Sequence, residues 1–268
     1  MSRGLGDVYK RQYLERAEKY FAEENYDKAK VDARNVLQIN PKNLPAQIIL
    51  ADISFKEGDI RKAYGTYQNV LSEDENNIDA HIGLTSLLTA VKAYDQAIEH
   101  ADDVLAVQPD NTEVMGFKAF ALAGSGETDA ATALAEKTLS MEPGNTAAAG
   151  VISQLYIDKG DYEGALTVLR KAASANQDDP RLSLKTAYVL EQMGDRDALE
   201  KELSTLASKN PGVYAYANAL ASFYVREARF DDAEKAIRKY ASDNPDSNNE
   251  KKYLISFLRQ HVSQDAAI

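Results

Sequence analysis

Residues 156–172 read YIDKGDYEGALTVLRKA, and this stretch decides the fold. Gly160 and Asp161 interrupt an apolar pattern of helical spacing, which resumes at Ala165 and Leu169. An aspartate in front of such a pattern is a favoured N-cap, and a glycine beside it favours a tight turn. The stretch therefore predicts the end of one helix, a short turn and the start of a second helix.

The same pattern recurs along the chain at multiples of 34 residues. The segments EGDIRKAYGTYQNVL (57–71), KAYDQAIEHADDVL (92–105) and EARFDDAEKAIRKY (227–240) fall into one phase with the first. A fixed period of this length indicates a repeat architecture, in which each unit packs on its neighbours.

Small residues recur at two positions of the repeat, numbered so that Gly160 is position fifteen. Position twenty holds Ala29, Ala63, Ala97, Ala131, Ala165, Leu199 and Ala233. Position eight holds Ala17, Ala51, Thr85, Ala119, Ser153, Ala187 and Ala221. We expect these residues to lie where two helices approach closely, because a bulky side chain would hold the backbones apart.

Prolines give the same phase independently. Five of the seven prolines fall at position thirty-two, namely Pro41, Pro109, Pro143, Pro211 and Pro245. Proline cannot continue a helix and disfavours helical geometry in the residue before it. Each is therefore expected to follow the end of a second helix.

A 34-residue helix–turn–helix unit with small residues at positions eight and twenty and a closing proline resembles the tetratricopeptide repeat family. The resemblance implies an all-α fold, a right-handed superhelical solenoid of helix–turn–helix repeats. It implies seven units, at 10–43, 44–77, 78–111, 112–145, 146–179, 180–213 and 214–247. We expect residues 1–9 to be a non-repeat leader. Residues 248–268 are expected to be a capping helix and tail, or else the first half of an eighth unit.

Composition limits the function. A formal net charge of -11 argues against a nucleic-acid partner, which clustered lysines and arginines would hold. No window approaches the roughly 18 apolar residues of a membrane-spanning helix, so we expect a soluble chain without membrane insertion. The chain has no cysteine, which excludes disulfides, thiolate catalysis and cysteine-ligated metals.

Candidate chemical sites are few, and we expect no catalytic, cofactor-binding or metal site. Gly124-Ser125-Gly126 follows a helical pattern rather than a strand, so it is interpreted as an interhelix turn. The three histidines lack HExxH spacing and a shared helical face. His81 is expected to pack between repeats, and His100 and His261 to be solvated.

The family resemblance also implies where a partner binds. In that family the first helices of successive units line the concave face, with positions two, five, nine, twelve and thirteen pointing into the groove. On this chain we expect the groove to contain Asp52, Phe55, Lys56, Gly116, Phe120, Gly150, Gln154, Ile157, Tyr188 and Glu191. The alternative is that several of these residues pack within the array. The lysine and asparagine clamp with which some family members hold a carboxylate is absent.

The functional prediction is a non-enzymatic scaffold that binds a peptide or helix of another protein through this groove. A second hypothesis is an envelope lipoprotein of a polysaccharide or protein export system, because residues 13–41 resemble the opening of such bacterial repeat proteins. This favours the bacterial periplasm or envelope over the cytoplasm. The segment MSRGLGDVYKRQ resembles translated adaptor sequence, so we expect the native N-terminus to be missing. A third hypothesis is an accessory region of a longer, truncated enzyme.

Overall fold

The computed structural model describes residues 2–177 and 179–245 together with the single positions 252 and 256, and it describes side chains from residue 7 onward. Within this part every regular element is an α-helix. The helices are α1 (Ser2–Ala22), α2 (Tyr26–Ile39), α3 (Leu44–Lys56), α4 (Ile60–Glu73), α5 (Ile78–Ala90), α6 (Tyr94–Val107), α7 (Thr112–Ser125), α8 (Thr128–Met141), α9 (Thr146–Asp158), α10 (Tyr162–Ala175), α11 (Pro180–Met193), α12 (Arg196–Lys209), α13 (Tyr214–Arg226) and α14 (Phe230–Asp243).

The chain forms two compact units, residues 1–151 and 152–268. In the first unit α1 packs on α2, α3 on α4, α5 on α6 and α7 on α8. The odd-numbered helices α1, α3, α5 and α7 also contact one another in sequence, so they form one continuous layer. In the second unit α11 packs on α12 and α13 on α14. The predicted all-α helical repeat fold is confirmed.

The small-residue columns lie at the helix contacts, as predicted. Every residue at positions eight and twenty is buried, from Ala17 at 0% exposure to Ala187 at 6%. Leu199, the one large residue among them, is also buried. Small side chains at these positions allow the two helices of a pair to approach closely, and each pair then excludes water from its seam.

Each of the five position-thirty-two prolines follows a helix end by two residues. Pro41 follows the end of α2 at Ile39, and Pro109 follows the end of α6 at Val107. At the N-terminus α1 begins at Ser2, so the helix of the first unit extends into the leader, and the prediction that residues 1–9 lie outside the repeat stays a prediction. No proline lies between Ser2 and Gln12 to stop it. The predicted capping helix over 248–268 falls almost wholly outside the described residues.

In each of the seven units, the turn between the first and the second helix has one residue in the left-handed backbone region. Glycine occupies it at Gly58, Gly126, Gly160 and Gly194, with φ between 72° and 93°. Glu24, Lys92 and Ala228 adopt the same conformation at φ 56°, 63° and 58°. A side chain at positive φ places Cβ against the backbone, at a cost of about 1–2 kcal/mol relative to glycine.

We expect Ala228→Gly to stabilise the protein by roughly 0.5–1 kcal/mol, because the relief of this strain exceeds the extra backbone entropy of glycine. The midpoint of urea unfolding, followed by circular dichroism, measures the change. The control is Ala219→Gly in the interior of α13, where the same replacement should destabilise by about 1 kcal/mol. Equal shifts for the two variants would contradict the assignment of strain to position 228.

Candidate functional site

The layer of odd-numbered helices in the first unit encloses a cleft of about 480 Å³, here called the acidic cleft. Residues of α1, α3, α4, α5 and α7 line it. The lining residues are Glu18, Phe21, Pro45, Ile48, Ile49, Asp52, Phe55, Lys56, Tyr67, Asp79, Ile82, Gly83, Ser86 and Glu113. The cleft thus combines four carboxylates with apolar side chains and a single lysine.

A hydrogen bond between two side chains forms the base of the cleft. The Tyr67 hydroxyl donates to Asp52 Oδ1 at 2.5 Å, while the Tyr67 side chain is completely buried. Gly83 makes room for this arrangement, since a Cβ atom there would lie 2.4 Å from Tyr67 Cε1 and Cζ. Helix α5 therefore needs a glycine at this position, although glycine weakens a helix interior.

Burial raises the pKa of Asp52 to about 6, and the carboxylates of Asp79 and Glu113 add to the rise. The Tyr67 hydrogen bond and the charge of Lys56 act in the opposite direction. Near neutral pH the Asp52 carboxylate is therefore mainly ionised, although its site disfavours the charge. A cation placed in the cleft would relieve that penalty.

The rim of the cleft is negative and its walls are apolar. Glu18, Asp79 and Glu113 are all exposed, so their charges face solvent at the opening. Phe55 is partly buried and packs on the core cluster that includes Tyr67. Such a surface matches a segment that carries a positive charge between apolar side chains.

The structure brings three of the predicted groove residues together in this cleft, namely Asp52, Phe55 and Lys56. Gly116 and Phe120 lie on α7 and do not line the cleft. Gly116 is buried against Asn145, since a Cβ there would lie 2.4 Å from Asn145 Oδ1. Phe120 is 38% exposed, an accessible aromatic ring. Gly150, on α9, is buried.

The remaining four groove residues belong to the second compact unit. Gln154 is exposed and donates from Nε2 to Asp158 Oδ1 at 2.8 Å. Tyr188 is 51% exposed. Glu191 accepts a hydrogen bond from Arg226 Nη2 at 2.9 Å. Ile157 is half-buried. The prediction that these residues contact a partner stays a prediction.

Sequence reasoning missed most of the cleft, although the signal was present. Glu18, Asp79, Ile82, Ser86 and Glu113 occupy positions two, five and nine of their units, which are the family's groove positions. The groove predicted from the sequence contains mostly residues from the middle of the chain, where glycines and aromatic residues alternate. Applying the same positions to the first four units would have found Glu18, Asp79 and Glu113. Tyr67, on a second helix, carries no such signal.

One expectation about the histidines is wrong. His100 is half-buried rather than solvated, and its Nδ1 lies 2.9 Å from Nδ1 of His81. Burial lowers the pKa of His100, and the neighbouring His81 lowers it further. His81 is buried, as expected. His261 lies outside the described residues. In the part of the chain that is described, helices long and apolar enough to cross a bilayer are absent.

The sequence was compared with protein-family profiles and with curated proteins. A sequence profile described as tetratricopeptide repeat matches residues 54–119 and 122–188. A comparison of the sequence with curated proteins found no match.

Solved structures share the fold at low sequence identity. PilF of Pseudomonas aeruginosa is 20% identical with a TM-score of 0.58, and the match covers 81% of this chain and 99% of PilF. PilW, a widely conserved type IV pilus biogenesis factor, is 18% identical with a TM-score of 0.61, covering 79% of this chain and 98% of PilW. A tetratricopeptide repeat protein from Parabacteroides merdae is 15% identical with a TM-score of 0.59, covering 94% and 99%.

Proposed function

Since this chain belongs to the tetratricopeptide repeat family, we propose that it is a non-enzymatic scaffold that binds a segment of another protein in the acidic cleft. Proteins of this fold are generally scaffolds, and their repeats bind proteins or peptides. The observation that carries the proposal is the convergence of Glu18, Asp52, Asp79 and Glu113 on one cleft with apolar walls.

The charge of the cleft specifies the kind of segment. A peptide that ends in acidic residues would meet four carboxylates and only Lys56, so like charges would oppose its binding. A lysine or arginine side chain entering between Asp79 and Glu113 would approach the Asp52 carboxylate. Apolar neighbours in the segment would cover Ile48, Phe55 and Ile82. A short amphipathic helix supplies this pattern on one face.

The proposal predicts selective binding of a designed peptide. A helical peptide of about 15 residues, with one lysine between leucines and phenylalanines, should bind the full chain in a fluorescence anisotropy titration. The same peptide with glutamate for the lysine should bind at least about tenfold more weakly, equivalent to about 1.4 kcal/mol. Combining Asp79→Lys with Glu113→Lys should lower the affinity for the lysine peptide by a similar factor and raise the affinity for the glutamate peptide.

A matched variant separates the cleft from the net charge. Asp129 and Glu136 lie exposed on α8 outside the cleft, so Asp129→Lys combined with Glu136→Lys changes the net charge equally and should leave both peptide affinities nearly unchanged in physiological salt. As the pH falls from about 7.5 to about 5, protonation of Asp52 should lower the affinity for the lysine peptide, because the pKa of Asp52 lies within this range. Equal affinities for the two peptides, or equal effects of the cleft and α8 variants, would contradict the proposed site.

The non-enzymatic part of the proposal is tested separately. An assay of the purified chain should find no turnover of common hydrolase or transferase substrates. Measurable turnover that follows the protein through purification would contradict it. The prediction of an accessory region in a longer enzyme stays a prediction, which the complete gene tests.

The envelope-export prediction is also kept as a prediction. One of the compared structures, PilW, is a type IV pilus biogenesis factor, but an identity of 18% shows the fold alone. The native gene upstream of Tyr13 provides the test. A signal peptide with a lipobox there would support an envelope lipoprotein, and a cytosolic start codon just before Tyr13 would contradict it.

A further inference from the structure

Two histidines and an aspartate converge on the seam between α5 and α6. His81 lies in the first turns of α5, and His100 and Asp103 are three residues apart on α6, which places them on the same face of that helix. His81 Nδ1 lies 2.9 Å from His100 Nδ1 and 3.4 Å from Asp103 Oδ2. One ligand atom from each of the three residues lies within 4.8 Å of the other two.

A backbone carbonyl fixes the orientation of the His81 ring. His81 Nε2 lies 2.9 Å from the carbonyl oxygen of Glu75, which can only accept a hydrogen bond. Nε2 therefore carries a proton and donates it to Glu75. In the neutral ring the lone pair is then on Nδ1, which faces His100 and Asp103. Histidines that bind metals usually donate their other ring N–H to a carbonyl or carboxylate in this way.

The remaining two ligands suit the same role. Burial and the proximity of His81 keep the pKa of His100 below its ordinary value, so its imidazole is neutral near pH 7 and offers a lone pair. The Asp103 side chain is 60% exposed, so one side of the cluster is open to solvent. An ion has a path to enter, and water can complete its coordination.

In this tautomer the lone pair of His81 Nδ1 needs a proton from a neighbouring group or a metal ion. The Asp103 carboxylate and the His81 Nδ1 lone pair then face each other at 3.4 Å, and both are acceptors. A proton or a metal ion between them would remove the repulsion. The competing arrangement without a metal is a hydrogen bond in which neutral His100 donates from Nδ1 to His81 Nδ1 at 2.9 Å.

We propose that His81, His100 and Asp103 form a site for a divalent transition metal ion of the zinc type, with water in the remaining position. Two imidazoles and one carboxylate are a ligand set that zinc accepts in three-ligand sites. Tetrahedral zinc separates two ligand nitrogens by about 3.3 Å, so the two rings would have to part by roughly 0.4 Å. The bound ion would cross-link α5 to α6. The site is separate from the acidic cleft and does not rest on the proposed function.

The test uses the full chain, stripped with a chelator, dialysed and titrated with zinc chloride by calorimetry. We expect one equivalent of zinc to bind per chain and the melting temperature to rise with zinc concentration. Cobalt(II) should bind with the intense visible bands of a four-coordinate ion. His100→Gln and Asp103→Asn should each weaken zinc binding at least about tenfold and remove those bands.

Matched variants complete the experiment. Asp102→Asn removes the same charge from the neighbouring position of α6, and His261→Gln removes the third histidine of the sequence; both should bind zinc like the parent. Melting curves recorded without metal identify any variant that fails to fold. If one of the two ligand variants fails to fold, zinc binding by the other ligand variant tests the proposal. Absence of saturable zinc binding, or equal losses in the ligand variants and the matched variants, would overturn the proposal in favour of a hydrogen bond between the two histidines.

Discussion

Tyr67→Ala is expected to destabilise the protein by about 3–5 kcal/mol, the range for removing a large aromatic side chain from a core. The Tyr67 ring is fully buried in a core cluster that also contains Ile48, Leu84 and Leu87, so its loss leaves a cavity in that cluster. It also leaves the Asp52 carboxyl without its hydroxyl donor. Urea unfolding measured by circular dichroism gives the change in free energy.

A second substitution tests whether a Cβ atom at position 83 would overlap the Tyr67 ring. Gly83→Ala alone should destabilise by about 1–3 kcal/mol, because the new Cβ overlaps the Tyr67 ring. In the Tyr67→Ala background the same change should instead stabilise by up to about 1 kcal/mol, since alanine is the better helix former. The reversal of sign is the expected result of this double-mutant cycle.

Two control positions lie on the same helix as Tyr67. Tyr64 is 38% exposed, so Tyr64→Ala should cost far less than Tyr67→Ala. Gly65 has open space where a Cβ would lie, so Gly65→Ala should stabilise α4 by roughly 0.5–1 kcal/mol. If Gly83→Ala behaved like Gly65→Ala in the parent protein, the close approach of α5 to Tyr67 would be wrong.

The second large effect is expected in the other compact unit. Ala165 is 0% exposed on α10, at the position where six of seven units have alanine. Ala165→Tyr should cost about 1–3 kcal/mol, because the added ring forces the packed helices apart or strains their side chains. The shift in the midpoint of urea unfolding measures it.

Ala175 provides the matched control for this substitution. It is the exposed last residue of α10, so Ala175→Tyr adds the same ring to the same helix without entering a seam. We expect its effect to stay within about 0.5 kcal/mol. An unchanged unfolding curve for Ala165→Tyr would mean that position twenty is not a packing contact, contrary to the whole repeat interpretation.

The repeat columns were predictable because each depends on one residue in a fixed phase. A buried alanine such as Ala97 and a helix-ending proline such as Pro109 act locally, and their recurrence identifies the unit without any tertiary information. Asparagine also recurs at one position of the repeat, directly before the first helix of a unit. Asn43, Asn77 and Asn111 each cap the helix that follows, accepting a hydrogen bond from the backbone N–H three residues on.

The acidic cleft was less predictable, because its base joins residues through packing rather than through period. Asp52 and Tyr67 lie on different helices, and their contact depends on the room that Gly83 leaves on a third. The neighbouring units have no equivalent trio at these positions. Similarly, the approach of His81 to His100 depends on how α5 packs on α6, which no short motif in the sequence specifies.

Nuclear magnetic resonance of the full chain, with labelled isoleucine methyl groups, tests the central claim most directly. On addition of the lysine-bearing peptide, the account predicts saturable shifts at Ile48 and Ile82, which line the acidic cleft, with little change at Ile157 and Ile237 in the second unit. Shifts at Ile157 with unperturbed Ile48 and Ile82, or no saturable shift at any methyl group, would contradict binding in the acidic cleft.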